Sequence, residues 1–257
     1  MWCIEHRHSA PYKVAAMFGP AIACFLSRKF LDRDGFRDAG LGLPLKRYWF
    51  AAWLGYPLVS LLSMLITVAL GYGSWGSNPD PAITATAVIP APAGLPDFPA
   101  AVIKSVFDLT INILIIVPIV FGEDFGWGGW AIPKLLGHAS RLKTAWLFGL
   151  VWAGWHIPII LMGHNNPDHT LTGACVAFAT TTIEGVSYAW LRIVSGSLWV
   201  VVLFHASMNS AFPWPFLWVK EASSNVWGTI LFILFALLAV SASIHLHLKP
   251  AARRTGA

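Results

Sequence analysis

Residues 121–133 read FGEDFGWGGWAIP. Two adjacent carboxylates, Glu123 and Asp124, follow an apolar run, Ala100 to Val120, long enough to cross a bilayer. Apolar and aromatic residues resume directly behind them. Acids inside a hydrophobic segment are costly, so they require partners or a task. Two later segments offer partners: His156 in VWAGWHIPI (151–159), and His205 with Asn209 in LFHASMNS (203–210). Whether these groups can meet decides both the fold and the chemistry.

Of the 257 residues, 56% are hydrophobic and 11% charged, against about a quarter charged in an ordinary soluble domain. That composition predicts an all-α polytopic membrane helical bundle with seven or eight transmembrane helices, its principal partner being the lipid bilayer. The 14 tryptophans suit membrane interfaces. The formal charge of +5 does not point to nucleic acid, because the basic residues gather in particular loops and form no patch. Cys3, Cys24 and Cys175 are scattered and imply neither a disulfide framework nor a cysteine metal site. No cleavable signal peptide is evident.

Apolar runs predict spans at Val14–Leu26, with Pro20 a candidate kink, then Tyr48–Tyr72 and Ala100–Val120 continuing into the opening stretch. Further spans are expected at Thr144–Met162, Leu171–Leu191, Leu198–Phe212 and Val226–His245. Residues 27–47 read as a charged loop, Gly73–Pro99 as a Pro- and Gly-rich non-helical loop, and Arg192–Ser197 as a tight turn. Polar turns fall at Lys134–Lys143 and Gly163–Thr170, and a Trp-rich interfacial loop at Pro213–Asn225. Arg7, Lys13, Lys104 and Lys220 fall on one side, and the other 13 of the 17 basic residues on the opposite side with the C-terminus. Positive-inside makes that side cytoplasmic, for a multi-pass protein of the cell membrane. Seven spans leave the N-terminus outside; one further leading helix would make eight. The chain reads as one domain, 1–257, with its core at about 14–246.

Depth tests whether the polar groups meet. At about 1.5 Å rise per residue, His156 lies about 18 Å above Thr144, His205 about 12 Å above Ser197 and Asn209 about 18 Å. Counting back from Lys134, Glu123 lies at about 16 Å, provided its helix runs on past the acids. His205 and Asn209 share a helix face, as do Trp152 and His156, and Glu123 and Trp127. Asp124 points about 100° from Glu123, so one acid faces the site while the other packs behind it as an acceptor. Gly122, Gly126, Gly128, Gly129 and Gly154 permit close helix approach.

A desolvated glutamate can act as general base toward water. One histidine can hold the water or protonate a leaving amine; the other, with an asparagine, can donate to an oxyanion. Alternatively, Glu123, His156 and His205 make a zinc site with an open fourth position. The residues do not choose between these readings. Asp108 and Asn112, one turn apart, are expected to bond a neighbouring helix. Glu184 sits mid-span without an obvious partner; structural pairing is the default, lining of the same cavity the alternative. His138, His164 and His169 fall in turns and are expected to be solvated. Ser195-Gly196-Ser197 lies in a turn and lacks the leading glycine of a serine-protease GxSG.

GEDFGWGGWAIPKL resembles the first motif of the CPBP intramembrane proteases (CAAX protease and bacteriocin-processing, also called ABI), EExxxR. VWAGWHIPI is similar to the second, an aromatic followed by xxxH, and SGSLWVVVLFHASMN to the third, HxxxN. FRDAGLGLPLKRYW is similar to the segment these proteins carry before an early span. The resemblance runs from about Phe18 to Asn209. It implies an intramembrane peptidase acting on a membrane-associated peptide or protein, CAAX-processing-like or bacteriocin-immunity-like, classed by some schemes as a metalloprotease and by others as a glutamate protease. Carried over by motif, Glu123 activates water helped by His156, and His205 and Asn209 form the oxyanion pocket, with Asp124, Trp127 and Trp152 in support. The second acid is Asp124 where the motif has Glu, and the motif's arginine falls on Gly128. Lys134, Arg141 or another cation then substitutes, or the substrate differs, or activity is weak. Two other classes stay open: a non-catalytic membrane scaffold or immunity protein of the same fold, and a small transporter using Glu123 and Glu184 as proton carriers.

Overall fold

A computed structural model describes residues 17–32, 35–76, 97–161, 170–212, 214–220 and 224–248. The expectations for the N-terminal residues including Arg7 and Lys13, for most of the loop 73–99, for the turn holding His164 and His169, and for the basic tail lie outside these residues.

The described chain is an all-α membrane helical bundle. α1 (Gly19–Leu26) runs on as a π-helical turn, Ser27–Asp32. Helix therefore occupies the start of the expected charged loop, and Pro20 sits in the first turn, where its missing N–H costs nothing, instead of kinking a span. α2 is Lys46–Ala69. α3 (Asp97–Phe107), a π turn (Asp108–Asn112), α4 (Ile113–Gly126), a second π turn (Trp127–Ala131) and α5 (Ile132–His138) follow one another without a break. The helix thus continues past the acids, as the depth count requires. α6 is Arg141–Leu161, α7 Thr170–Ser195 and α8 Leu198–Ala211. A short α9 (Trp214–Trp218) leads to α10 (Ser224–Leu248). One small antiparallel ribbon pairs β1 (Ser74–Trp75) with β2 (Val219–Lys220).

Among the described residues three helical runs are long and apolar enough to cross a membrane: Lys46–Ala69, Phe98–His138 and Arg141–Leu161. Shorter apolar stretches occur at Leu198–Ala211 and Ile233–His247. These helices are apolar inside and out. On α2, Tyr56 and Met64 are buried while Leu58, Leu62 and Leu65 stand exposed; Leu114, Val151 and Leu237 do the same on their helices. In water such a surface would be an aggregation hazard; against lipid it is the expected outer face.

α7 lies between α6 and α10, and α8 packs on α2 and α4. α6 and α7 cross closely: a Cβ added to Gly185 would meet the Gly149 Cα at 2.6 Å. Gly122 and Gly126 serve α1 similarly, since a Cβ at Gly122 would stand 2.7 Å from the Phe18 ring. Gly154 does not: among the described residues nothing lies within 4 Å of its would-be Cβ.

The expected turn Arg192–Ser197 shrinks to Gly196-Ser197, because α7 continues to Ser195. Gly196, at φ +68°, is the residue that can take the left-handed conformation ending the helix. The loop before α2 is laced to the start of α8: the Leu198 N–H donates to Gly40 O (2.7 Å), Ser197 Oγ to Gly42 O (2.8 Å) and Trp199 Nε1 to Leu41 O (3.0 Å).

At the C-terminal end of α3 a buried polar cluster forms. Lys104 pairs with Asp108. Asp108 also accepts from Asn112 Nδ2 (3.2 Å) and Trp214 Nε1 (3.2 Å), and Asn112 reaches Ser210 Oγ on α8 at 3.3 Å. Asp108 and Asn112 thus bond to neighbouring helices, tying α3, α8 and α9 together.

Candidate active site

Four elements build the site. α4 presents both acids, buried to 3% (Glu123) and 0% (Asp124) exposure. Successive residues on a helix diverge by about 100°, so the two side chains find different partners. Glu123 Oε1 accepts from the Trp152 indole at 2.6 Å and from the Trp127 indole, one turn along its own helix, at 3.2 Å. Asp124 Oδ1 accepts from His205 Nδ1 on α8 at 3.0 Å. The His156 Nδ1–H donates to the Trp152 carbonyl at 2.8 Å, one turn back on α6.

Trp152 is the hub. Its ring is buried, with His156 edge-on at 5.4 Å on one side and His205 edge-on at 5.4 Å on another. The same indole rests on Phe148 (6.0 Å) and Tyr188 (5.6 Å). One ring therefore spaces both histidines and donates to the glutamate. With both Nδ1 atoms committed, the histidines have only Nε2 to offer a ligand. Glu123 keeps Oε2, since its hydrogen bonds among the described residues end on Oε1.

Of the residues expected at the site, Glu123, Asp124, Trp127, Trp152, His156 and His205 are gathered. His156 is half-buried and His205 fully so. Asn209 lies one turn beyond His205 on the same helix, is exposed, and bonds to no described residue. The zinc alternative does not fit the arrangement: no three His, Cys, Asp or Glu side chains among the described residues stand where they could hold a metal ion.

Two contributors from α7 were missed. Tyr188 is buried against Phe148 and Trp152 and lies beside Asp124. Among the described residues its hydroxyl and Asp124 Oδ2 both lack a partner of full hydrogen-bond geometry. Arg192, 6% exposed, sends Nε to Gly128 O (2.7 Å) and a terminal nitrogen to Asp38 O (3.0 Å). A signal existed: Glu184, Tyr188 and Arg192 are spaced by four and put these ionisable side chains of the helix on one face. Glu184 is buried, faces His205 and Tyr56, and has no hydrogen-bonded partner among the described residues. The structural pairing expected for it is therefore not found. Lys134, a suggested stand-in for the motif arginine, instead pairs with Asp32 at 3.1 Å.

Residues 104–211, the segment that carries the whole constellation, match the family model described as type II CAAX prenyl endopeptidase Rce1-like. This segment is similar to that family and makes up less than half of the chain. CAAX prenyl protease 2 of Methanococcus maripaludis is 26% identical to it over 93 residues. That match spans 34% of this chain and 34% of the relative, so the chain covers about a third of the length of the curated protein it resembles. Within this segment Gly128, where the motif resembled has arginine, has a steric reason. A Cβ there would meet the Tyr188 hydroxyl at 2.8 Å and Leu198 Cδ1 at 2.9 Å. Gly128→Arg is expected to cost about 1–3 kcal/mol by overpacking, seen as a lower unfolding temperature in detergent with no gain in activity. An unchanged unfolding temperature would refute the steric account.

Proposed function

We propose that the protein is an intramembrane endopeptidase that cleaves a membrane-associated peptide or protein by carboxylate-activated water, with a CAAX-type substrate as the leading class. The observation that carries this reading is the buried Glu123–Trp152 bond with both histidines held against the same indole. The family match and the CAAX protease relative support the peptidase class.

Glu123 Oε2 takes a proton from a water that His156 Nε2 orients. The water oxygen bonds to the scissile carbonyl carbon, and the C=O pair moves onto oxygen. His205, carrying a proton on Nε2 while Nδ1–H is held by Asp124, donates to that oxyanion together with the Asn209 amide. Collapse re-forms the carbonyl and breaks the C–N bond. The proton on Glu123 passes to the leaving amine, which restores the carboxylate. Burial keeps the general base out of bulk water, and the two indole donors fix its direction without supplying a competing base.

The purified full chain in liposomes, given a prenylated CAAX peptide and its unprenylated twin, is expected to release the C-terminal fragment from the prenylated one, and His205→Ala is expected to stop release. No cleavage of any membrane peptide by wild type, or equal cleavage by His205→Ala, would sink the reading. Trp152→Phe keeps an aromatic ring at this position but removes the N–H to Glu123. Loss of a hydrogen bond to a charged group, about 1.5–3 kcal/mol, predicts a roughly ten- to hundredfold fall in kcat.

A further inference from the structure

The turn after the acids breaks its own hydrogen-bond ladder at two consecutive carbonyls. The Ile132 N–H goes to Trp127 O, five residues back, so Gly128 O loses the donor an α-helix would give it. Gly129 O loses its donor because the residue four ahead is Pro133, which has no N–H. Both carbonyls are buried with their glycines, and a buried orphan acceptor is costly. Each is capped by an arginine from another element: Arg192 Nε on Gly128 O at 2.7 Å, and an Arg28 terminal nitrogen on Gly129 O. Arg28 is 1% exposed. Asp38 joins the two, its carboxylate accepting from Arg28 at 2.6 Å and its carbonyl from Arg192 at 3.0 Å. The neighbouring turn is pinned again by Asp32, which accepts from Trp130 Nε1 (2.7 Å) and Lys134. Those two donors hold the Asp32 carboxyl below its usual range.

We propose that Arg192 and Arg28 are positioning residues: a two-arginine clamp, joined by Asp38, that holds the wide turn 127–131 open and thereby sets the aim of Glu123 and Asp124. Trp127, first residue of that turn, donates to Glu123, so a change of pitch moves the general base. An arginine at position 128 is sterically blocked, and the same backbone is instead gripped through space from α1 and α7. The clamp also explains why the loop holding Asp38 is laced to the start of α8, the helix that carries His205.

As a contribution to rate, the inference rests on the peptidase reading; as a statement about the turn, it does not. The test uses the full chain in detergent with its indole N–H groups labelled with ¹⁵N. Arg192→Met is expected to lower kcat about 100-fold, as displacement of a reacting group does, with KM within about twofold, and to shift the Trp152 and Trp127 indole signals. Arg192→Lys, which can still cap one carbonyl, is expected to recover most of both. In a Pro133→Ala background, where residue 133 regains an N–H for Gly129 O, Arg28→Met is expected to move the indole signals less than in wild type. Unmoved indole signals in Arg192→Met, or losses that follow only the melting temperature and are not rescued by lysine, would overturn the clamp. If wild type cleaves nothing, the peptidase reading fails while the indole signals still decide the clamp.

Discussion

Glu123→Gln is expected to abolish peptide cleavage, with a loss of about 10²–10⁴-fold in kcat, the range that a positioned general base contributes. The substitution is nearly isosteric, and its amide oxygen can still accept from Trp127 and Trp152. What disappears is the ability to take a proton from water. The variant should therefore fold and melt near wild type while its turnover collapses, and KM should change little. Glu123→Asp, which retracts the carboxylate by one methylene, should retain a fraction of the rate at the cost of the 2.6 Å bond to Trp152. A Glu123→Gln variant that cleaves at the wild-type rate would mean the base is elsewhere, with Glu184 the next buried carboxylate to test.

Asp108→Ala is expected to be the most destabilising single change, at about 3–5 kcal/mol. Asp108 is fully buried and accepts from Lys104, Asn112 and Trp214. Its removal strands the Lys104 ammonium, itself 3% exposed, together with two neutral donors. Lys104→Met with Asp108→Asn should recover most of the loss, because the amide oxygen still serves Asn112 and Trp214 and no charge is left unpaired. Unfolding of the three proteins in detergent measures this, and a single mutant no less stable than the double would contradict it. The molecules that remain folded should cleave at the wild-type rate, which separates this cluster from the chemistry.

The apolar runs and the matched depths of Glu123, His156 and His205 were legible in the sequence, because both follow from hydrophobicity and a fixed rise per residue. The divergence of Glu123 and Asp124 was legible too, from the 100° step alone. The hub role of Trp152 was not. Trp152 shares a face with His156 by spacing, but that its N–H crosses to Glu123 depends on the rotation of α6 against α4, which a single sequence does not specify. The arginine clamp was hidden for a related reason. Arg28 lies in the segment read as a charged loop and Arg192 in the segment read as a turn, and both are helical. Two π turns in the path from Asp97 to His138 also shift the helical phase, so face-counting across them fails. Asn209 shows the limit of the motif reading: it stands on the expected face of α8 yet is exposed, and substrate is what would bring it into play.

Direct attack by a Glu123-activated water is tested by a single turnover of excess enzyme on peptide in ¹⁸O-labelled water. Direct attack puts one ¹⁸O in the new carboxylate of the N-terminal product and none in the enzyme. Label appearing in the Glu123 side chain, with unlabelled product, would instead show a covalent acyl intermediate and contradict it.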